Sequence, residues 1–283
     1  MTLRVEAPAK INRELRVGRL RPDGFHEIRS RMVSIDVCDT LDIEPAENLE
    51  LLCSGLEVPA DETNLVARAA RALAARLGVP ARARIRLEKR IAVGSGLGGG
   101  SADAAVALMA LSRLWGARLE PEELGELAST LGSDVPFFLF GGEAQSSGRG
   151  ERIAPLPDGP ETELLLLIPP FPISTREVYE AHSRRAGASA VLPAGLEVET
   201  SGRFLGPNDL ASAVLEIHPE MEIYLRSARE VSDEVAITGS GCAVVLAGAS
   251  PEAPASLTRN LPGAALVRTR TLSRGQYRRR TSS

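Results

Sequence analysis

Five glycines fall among the seven positions from Gly94 to Gly100 in the stretch VGSGLGGGSADAA (Val93–Ala105), which then passes directly into a helix-forming run. Glycine removes each Cβ from the path of the chain, so successive amides can converge on one point. A helix N-terminus after such a loop adds unpaired N–H groups and partial positive charge. Gly94, Ser95, Gly96, Leu97, Gly98, Gly99, Gly100 and Ser101 are therefore expected to hold a polyphosphate. Three known phosphate motifs do not describe the loop. Gly99 is followed by Gly100 and Ser101, not by the Lys-Ser or Lys-Thr of a P-loop. Gly94-x-Gly96-x-x-Gly99 matches the dinucleotide fingerprint, but the next element reads as a second helix where a strand is required. The loop opens a helix, whereas that of protein kinases joins two strands.

Only two of the 33 basic residues are lysines, Lys10 and Lys89. A bias toward arginine replaces lysine wherever positive charge is enough. A surviving lysine points to a place that needs a compact, mobile ammonium. Both are candidates on that ground. Asn12, two positions from Lys10, shares its face on a strand.

The loop needs a strand before it and a helix after it, and the sequence supplies both. LRVEAPAKINRELRV reads as strand, short polar break and strand; MVSIDVCDTLDIEPA alternates as a strand does. DETNLVARAARALAARLG carries start signals at Asp61 to Asn64 and a stop at Gly78. ARIRLEKRIAV alternates and leads into the glycine loop. SADAAVALMALSRLWG reads as a helix capped by Ser101, with Asp103 in its first turn. PEELGELASTLG follows, with proline first. The proline-rich PLPDGPE marks a boundary, giving expected domains of 1–158 and 159–283. The second domain reads as a buried strand, TELLLLIP, a helix, TREVYEAHSRR, and helical segments from Asn208 to Ser232. VAITGSGCAVVLAG then reads as strand, glycine turn and strand, before a last helix and strand. His182 and His218 are expected on helix surfaces, and the basic RGQYRRRTSS as a solvated tail.

A net charge of -4 argues against a general nucleic-acid binder. The strongest apolar run, LLLLIPPFPI, is broken by three prolines and is too short to span a bilayer. Three widely spaced cysteines, Cys38, Cys53 and Cys242, make no disulfide framework or metal-ligand pair and fit a reducing compartment. The expectation is a cytoplasmic protein, a monomer or weak homodimer, with no nucleic-acid or membrane partner.

VGSGLGGGSADAA resembles the second motif of the galactokinase, homoserine kinase, mevalonate kinase and phosphomevalonate kinase (GHMP) superfamily. APAKIN (Ala7–Asn12), RPDGFHEI (Arg21–Ile28) and LGSDVPFFL (Leu131–Leu139) are similar to one branch, the 4-diphosphocytidyl-2-C-methyl-D-erythritol kinases of the non-mevalonate isoprenoid pathway. TREVYEA, PNDL and ITGSGCAVV resemble its later motifs. The resemblance implies an α+β fold in two halves. The N-terminal half would be like domain 2 of ribosomal protein S5 and the C-terminal half ferredoxin-like, with the clefts between them. It implies transfer of the γ-phosphoryl of ATP, with Mg2+, to a hydroxyl of a cytidine diphosphate substrate. The alternatives are another GHMP small-molecule kinase, such as homoserine kinase, or a non-catalytic nucleotide sensor.

Carried over residue by residue, the resemblance makes Asp134 the base and Lys10 its partner, placed to stabilise a developing alkoxide. Ser101 would meet the β/γ-phosphates or Mg2+, and Asn64 and Lys89 would lie near adenine. Phe25 and Tyr179 would stack on cytosine while His26 reads its edge. Asn12 would lie near the acceptor hydroxyl or phosphate, and Gly239 and Gly241 would form a second glycine turn facing the site. Some positions depart from the pattern. Phe25 stands where tyrosine is usual, and Arg13 and Glu14 stand where apolar residues are usual. Ala92 and Ala102 replace a proline and a serine.

Overall fold

LRVEAPAKINRELRV forms one strand, β1 (Leu3–Leu20), not two. In the computed structural model, which describes residues 2–117, 119–186 and 203–282, β1 pairs antiparallel with β2 (His26–Glu44) along its length. The expected polar break is replaced by register shifts between Pro8 and Lys10 and between Asn12 and Glu14. A bulge tolerates a proline that has no N–H to give, and it re-aims the side chains beside it. Lys10 and Asn12 sit at these irregularities.

The first layer continues with β3 (Leu49–Gly55), α1 (Leu65–Leu77), β4 (Ala83–Lys89), α2 (Gly99–Leu114), α3 (Pro121–Leu131), the single turn α4 (Phe137–Phe140), β5 (Glu143–Gly148) and β6 (Arg152–Pro155). Its sheet runs β3-β4-β2-β5-β6, with β1 paired to β2. Asn64 caps α1 by accepting from Val66 N at 2.9 Å, and Gly78 ends it in the left-handed conformation. The alanine-rich α1 and α2 lie close against each other, and α2 against β1, because small side chains let backbones approach; Ala69, Ala70, Ala104 and Ala105 are fully buried.

The second layer has β7 (Glu163–Ile168), α5 (Thr175–Ala186), α6 (Ala211–Ile217), α7 (Met221–Arg229), β8 (Glu234–Ile237), β9 (Val244–Ala247), α8 (Ala253–Asn260) and β10 (Ala265–Arg270). Its antiparallel sheet runs β10-β7-β9-β8, the ferredoxin-like strand order. Its core also takes Ile11, Leu15, Val17 and Ile28 from the β1–β2 hairpin, so that hairpin joins the layers.

The basic C-terminal segment is not a solvated tail. It forms α9 (Arg274–Thr281), started by a Ser273–Gln276 capping box. Tyr277, 1% exposed, enters the first layer's core, and its hydroxyl donates to the Phe138 carbonyl at 2.5 Å. A Cβ on Gly141 would overlap the Tyr277 ring, so only glycine leaves room for it.

Candidate active site

Lys10 and Asn12 project from the irregular stretch of β1. The Lys10 ammonium donates to Asn12 Oδ1 at 2.5 Å and lies 3.3 Å from Asp134 Oδ2, which the turn before α4 presents. Lys10 is almost fully buried, whereas Asp134 keeps about a third of its side chain in solvent. A buried ammonium beside an accessible carboxylate can orient and neutralise a group that reaches the carboxylate from outside. Asn12 is fixed in turn: its Nδ2 donates to Ser30 Oγ at 2.7 Å and its amide to Thr238 Oγ1 at 2.8 Å.

The glycine loop lies over this group, and its glycines divide into two sets. Gly94 and Ser95 give their carbonyls to the second layer: Gly94 O accepts from Ile173 N and Cys242 N, and Ser95 O from Ala243 N at 3.0 Å. A Cβ on Gly96 would overlap the Thr238 carbonyl, and one on Gly241 would overlap the backbone of Ser95 and Gly96. These glycines permit backbone to lie on backbone where the layers meet. Gly241 therefore abuts the loop, whereas Gly239 faces the site as the second glycine turn is expected to do: a Cβ on it would lie 3.1 Å from Asn12 Oδ1 and 3.5 Å from Lys10 Nζ. Ser95 is also turned inward, with its hydroxyl donating to Ala92 O at 2.6 Å.

Gly98 to Ser101 form the other set. The helix α2 begins at Gly99 with Gly98 as its N-cap at φ 74°, so Ser101 lies inside the first turn and is not the cap expected from sequence. The left-handed Gly98 starts the helix earlier than a serine cap would. A Cβ there would lie 2.9 Å from Phe138 and 3.1 Å from Lys10 Cε, and Lys10 N donates to Leu97 O at 2.9 Å. Loop, lysine and Asp134 thus form one packed unit. The first-turn amides of Gly99, Gly100 and Ser101 belong to the groups that an α-helix leaves without an intrahelical partner.

Lys89 lies beneath the loop. Its buried ammonium bonds Asp39 and, at 2.7 Å, Asp103 Oδ2. Burial opposes its charge, but the two carboxylates outweigh burial and raise its pKa. Burial pushes Asp103 up to about 8 against the pull of Lys89. Asp39 also accepts from the amides of Arg90 and Ile91, which lead into the loop. The Lys89 side chain therefore anchors the loop from below. The nearby apolar side chains of Leu56 and Val93 are exposed, and Leu56 N donates to the Lys89 carbonyl. Asn64 donates to Pro59 O at 2.6 Å beside Cys53.

The tip of the β1–β2 hairpin carries Phe25 and His26. Phe25 is 47% exposed with the Arg149 guanidinium 5.0 Å from its ring centre. His26 is buried, with both ring nitrogens engaged: Nδ1 donates to Gly18 O at 2.7 Å, and Nε2 lies 2.7 Å from Ser183 Oγ. The expectation that its ring reads a base edge is corrected by these partners. Tyr179 lies 5.7 Å from the His26 ring, and burial together with the charge of Asp134 raises its hydroxyl pKa.

His182 is not on the helix surface. It is 9% exposed, edge-on to His26 at 5.6 Å, with a buried Nε2 that has no hydrogen-bond partner among the described residues. His218 instead stacks on Phe171 and pairs with Glu220. Burial, then His26, holds the His182 pKa below its ordinary value. An unfolded histidine titrates near 6.5, so the stability lent by neutral His182 is complete above that pH and is lost as pH falls below it. The Tm gap between wild type and His182→Gln should narrow as the pH falls from about 7 to about 5. A gap constant across melting curves at several pH values would remove this role.

Several positioning residues were not legible as such. Thr238 and Asn208 are examples: Asn208 Nδ2 donates to the carbonyls of Ile237 and Gly239 and holds the second turn. The PNDL motif drew attention to Asn208 without giving it a role. Asp39 sits in an alternating strand with no local signal. Arg13, one of the departures, bonds Glu143 and Phe204 O, so β1 meets a second surface there.

Residues 64–142 match the family model described as GHMP kinases N terminal domain. The chain is 47% identical over 201 residues to the 4-diphosphocytidyl-2-C-methyl-D-erythritol kinase of Pelotomaculum thermopropionicum, covering 69% of this chain and 70% of that one. It is 40% identical over 267 residues to the enzyme of that name from Salinispora tropica, covering 88% and 84%. A crystal structure of 4-(cytidine 5'-diphospho)-2C-methyl-D-erythritol kinase aligns with a TM-score of 0.77 at 32% identity, over 95% of this chain and 99% of that one. Homoserine kinase from Cytophaga hutchinsonii shares the fold, with a TM-score of 0.67 at 16% identity over 96% and 95%. The chain, which builds its lysine–aspartate pair beneath a glycine loop at the junction of two layers, belongs to the 4-diphosphocytidyl-2-C-methyl-D-erythritol kinases of the GHMP family.

Proposed function

We infer that the chain transfers the γ-phosphoryl group of ATP to the 2-hydroxyl of 4-diphosphocytidyl-2-C-methyl-D-erythritol, in the non-mevalonate route to isoprenoid precursors. The observation that carries this is the Lys10 ammonium, 3.3 Å from Asp134 and packed under Gly98 at the start of α2. Phosphoryl transfer to an alcohol needs an in-line oxygen, a proton acceptor and relief of charge on the phosphoryl group. Asp134 accepts the hydroxyl proton, Lys10 offsets the charge growing on that oxygen, and Asn12 holds Lys10 in place. The amides from Gly99 to Ser101 receive the phosphates. The loop's other glycines act indirectly, by seating it on the second layer. Adenine covers the exposed Leu56 and Val93 beside Asn64, and Lys89 serves by holding the loop.

Mg2+ takes oxygen ligands, keeps several waters and commonly binds through substrate phosphates. The described residues contain no group of three or more His, Cys, Asp or Glu side chains that could cage a metal. The donor set therefore fits an ion shared with the triphosphate, held by the Ser101 hydroxyl. Bound there, it neutralises charge on the phosphates. No helix among the described residues is long and apolar enough to cross a membrane, and Cys38, Cys53 and Cys242 are free thiols, which supports a place in the reducing cytoplasm.

The test of the reading is ADP release from ATP with the cytidine diphosphate substrate and, separately, with homoserine. Turnover confined to the first is expected; comparable turnover of homoserine would overturn the assignment. Base recognition makes a second prediction. Phe25 and Tyr179 give the base its stacking surface, and with the His26 ring engaged elsewhere, reading of the edge passes to backbone groups of the hairpin. Phe25→Ala should lower kcat/KM for cytidine and uridine substrates alike, by about 1–3 kcal/mol. Loss confined to the cytidine substrate would contradict a stacking role.

A further inference from the structure

A cavity of about 390 Å³, whose lining includes neither Lys10 nor Asp134, opens between β1, β2, β5, the linker after β6 and the start of α9. That is the size of a small-molecule site. Two guanidiniums on its wall, Arg13 and Arg31, converge on one oxygen of Glu143, whose side chain is 2% exposed. Two cations share one carboxylate. Burial and then, after the attraction of Glu143, the nearby charge of Arg31 make Arg13 less basic than an ordinary arginine.

The other acids on the wall are already engaged. Asp158 accepts from the amides of Glu143 and Arg274, and Glu161 bonds Arg270 and Gln276. A third arginine, Arg203, stands exposed at the rim. The bonds described engage Nε and Nη1 of Arg13 and Nε of Arg31, and each guanidinium carries five N–H donors. Such forks match phosphate oxygens in pairs. The cavity also has an apolar part: the Phe204 ring, with the Arg13 guanidinium 4.2 Å from its centre, and the side chains of Val33 and Leu272.

We propose that this cavity is a second ligand site, for a small organic phosphate whose phosphate lies on Arg13 and Arg31 and whose apolar part lies on Phe204. Its link to the catalytic pair is short. Arg13 follows Asn12 in β1, and its carbonyl accepts from Gly206 N at 2.7 Å, next to the segment that carries Phe204. A ligand that draws Phe204 and Arg13 together acts on the strand that orients Asn12 and Lys10. This coupling rests on the catalytic reading above; the binding does not.

Binding is tested by titration calorimetry of the full chain, with the nucleotide site filled by a non-hydrolysable ATP analogue and the probes n-butyl phosphate and inorganic phosphate. Butyl phosphate should bind saturably and about tenfold more tightly than inorganic phosphate. Arg31→Leu should weaken it about tenfold, and Arg31→Lys, which keeps the charge without the fork, should restore part of the loss. Arg203→Ala at the rim should weaken it about threefold, and it keeps the test open if Arg31→Leu does not fold. No saturable heat, or equal binding by wild type and both the Arg31→Leu and Arg203→Ala variants, overturns the site. Equal affinity for the two probes overturns an organic ligand. With the site saturated, the KM for the acceptor should change about twofold or more in wild type and not in Arg31→Leu. Binding without that change overturns the coupling.

Discussion

Asp134→Asn should reduce turnover by about 10²-fold or more while leaving the KM values for ATP and acceptor near those of wild type. Asparagine keeps the shape of the side chain beside Lys10 but cannot take a proton. The expected loss lies toward the lower end of what a general base contributes, because phosphoryl transfer passes through a loose transition state in which little negative charge has reached the attacking oxygen. Lys10, 3.3 Å away, is unchanged by the substitution and still offsets part of that charge. Steady-state ADP release with both substrates saturating makes the measurement. Turnover within a fewfold of wild type would show that Asp134 positions Lys10 without accepting the proton.

Gly96→Ala should cause the largest loss of stability among substitutions in the loop. Gly96 holds φ +83°, and an added Cβ would overlap the Thr238 carbonyl, a backbone atom that cannot rotate away. Strain in the left-handed region adds to overpacking, for a cost on the order of 2–5 kcal/mol. In a chain of this size that lowers Tm by roughly 10 °C. Gly100→Ala supplies the contrast. Its Cβ would meet only Leu65 Cδ1, at 3.6 Å, from an ordinary helical position, so Tm should stay near wild type. Calorimetric melting of the two variants separates glycines that seat the loop from glycines that do not. Equal melting temperatures would show that the layers yield at this seam.

Much of the fold was legible because its signals are local. The periodicity of α1, its Asn64 cap and its Gly78 stop follow from spacing alone, and so does the strand–turn–strand around Gly239. The site was legible where a motif fixed a residue type: Lys10, Asn12 and Asp134 do converge. What sequence could not supply was direction. Five glycines in seven positions look alike, yet Gly94 and Gly96 serve contacts with residues far along the chain, whereas Gly98 starts a helix. His26 and His182 read as a base reader and a surface residue because nothing near them in sequence shows that α5 packs against the hairpin tip. Lys89 survives the bias toward arginine because a compact ammonium fits between Asp39 and Asp103, a need invisible without the fold.

The return of α9 to the first layer bears on how the chain is made. A ribosome releases residues in order, and the sheet of the first layer has its last strand by Pro155. Its core still lacks Tyr277, which fills the space that Gly141 leaves open and ties down the Phe138 carbonyl. The core of the half that carries the glycine loop is therefore not filled until α9, which follows every strand of the second layer, has been made. An interrupted product that has passed through β6, α5 or even β9 presents an unfilled slot, where chaperones and proteases can engage it. Placing the plug of the first core beyond all the strands of the second layer makes closure of the first half wait on the sequence of the second.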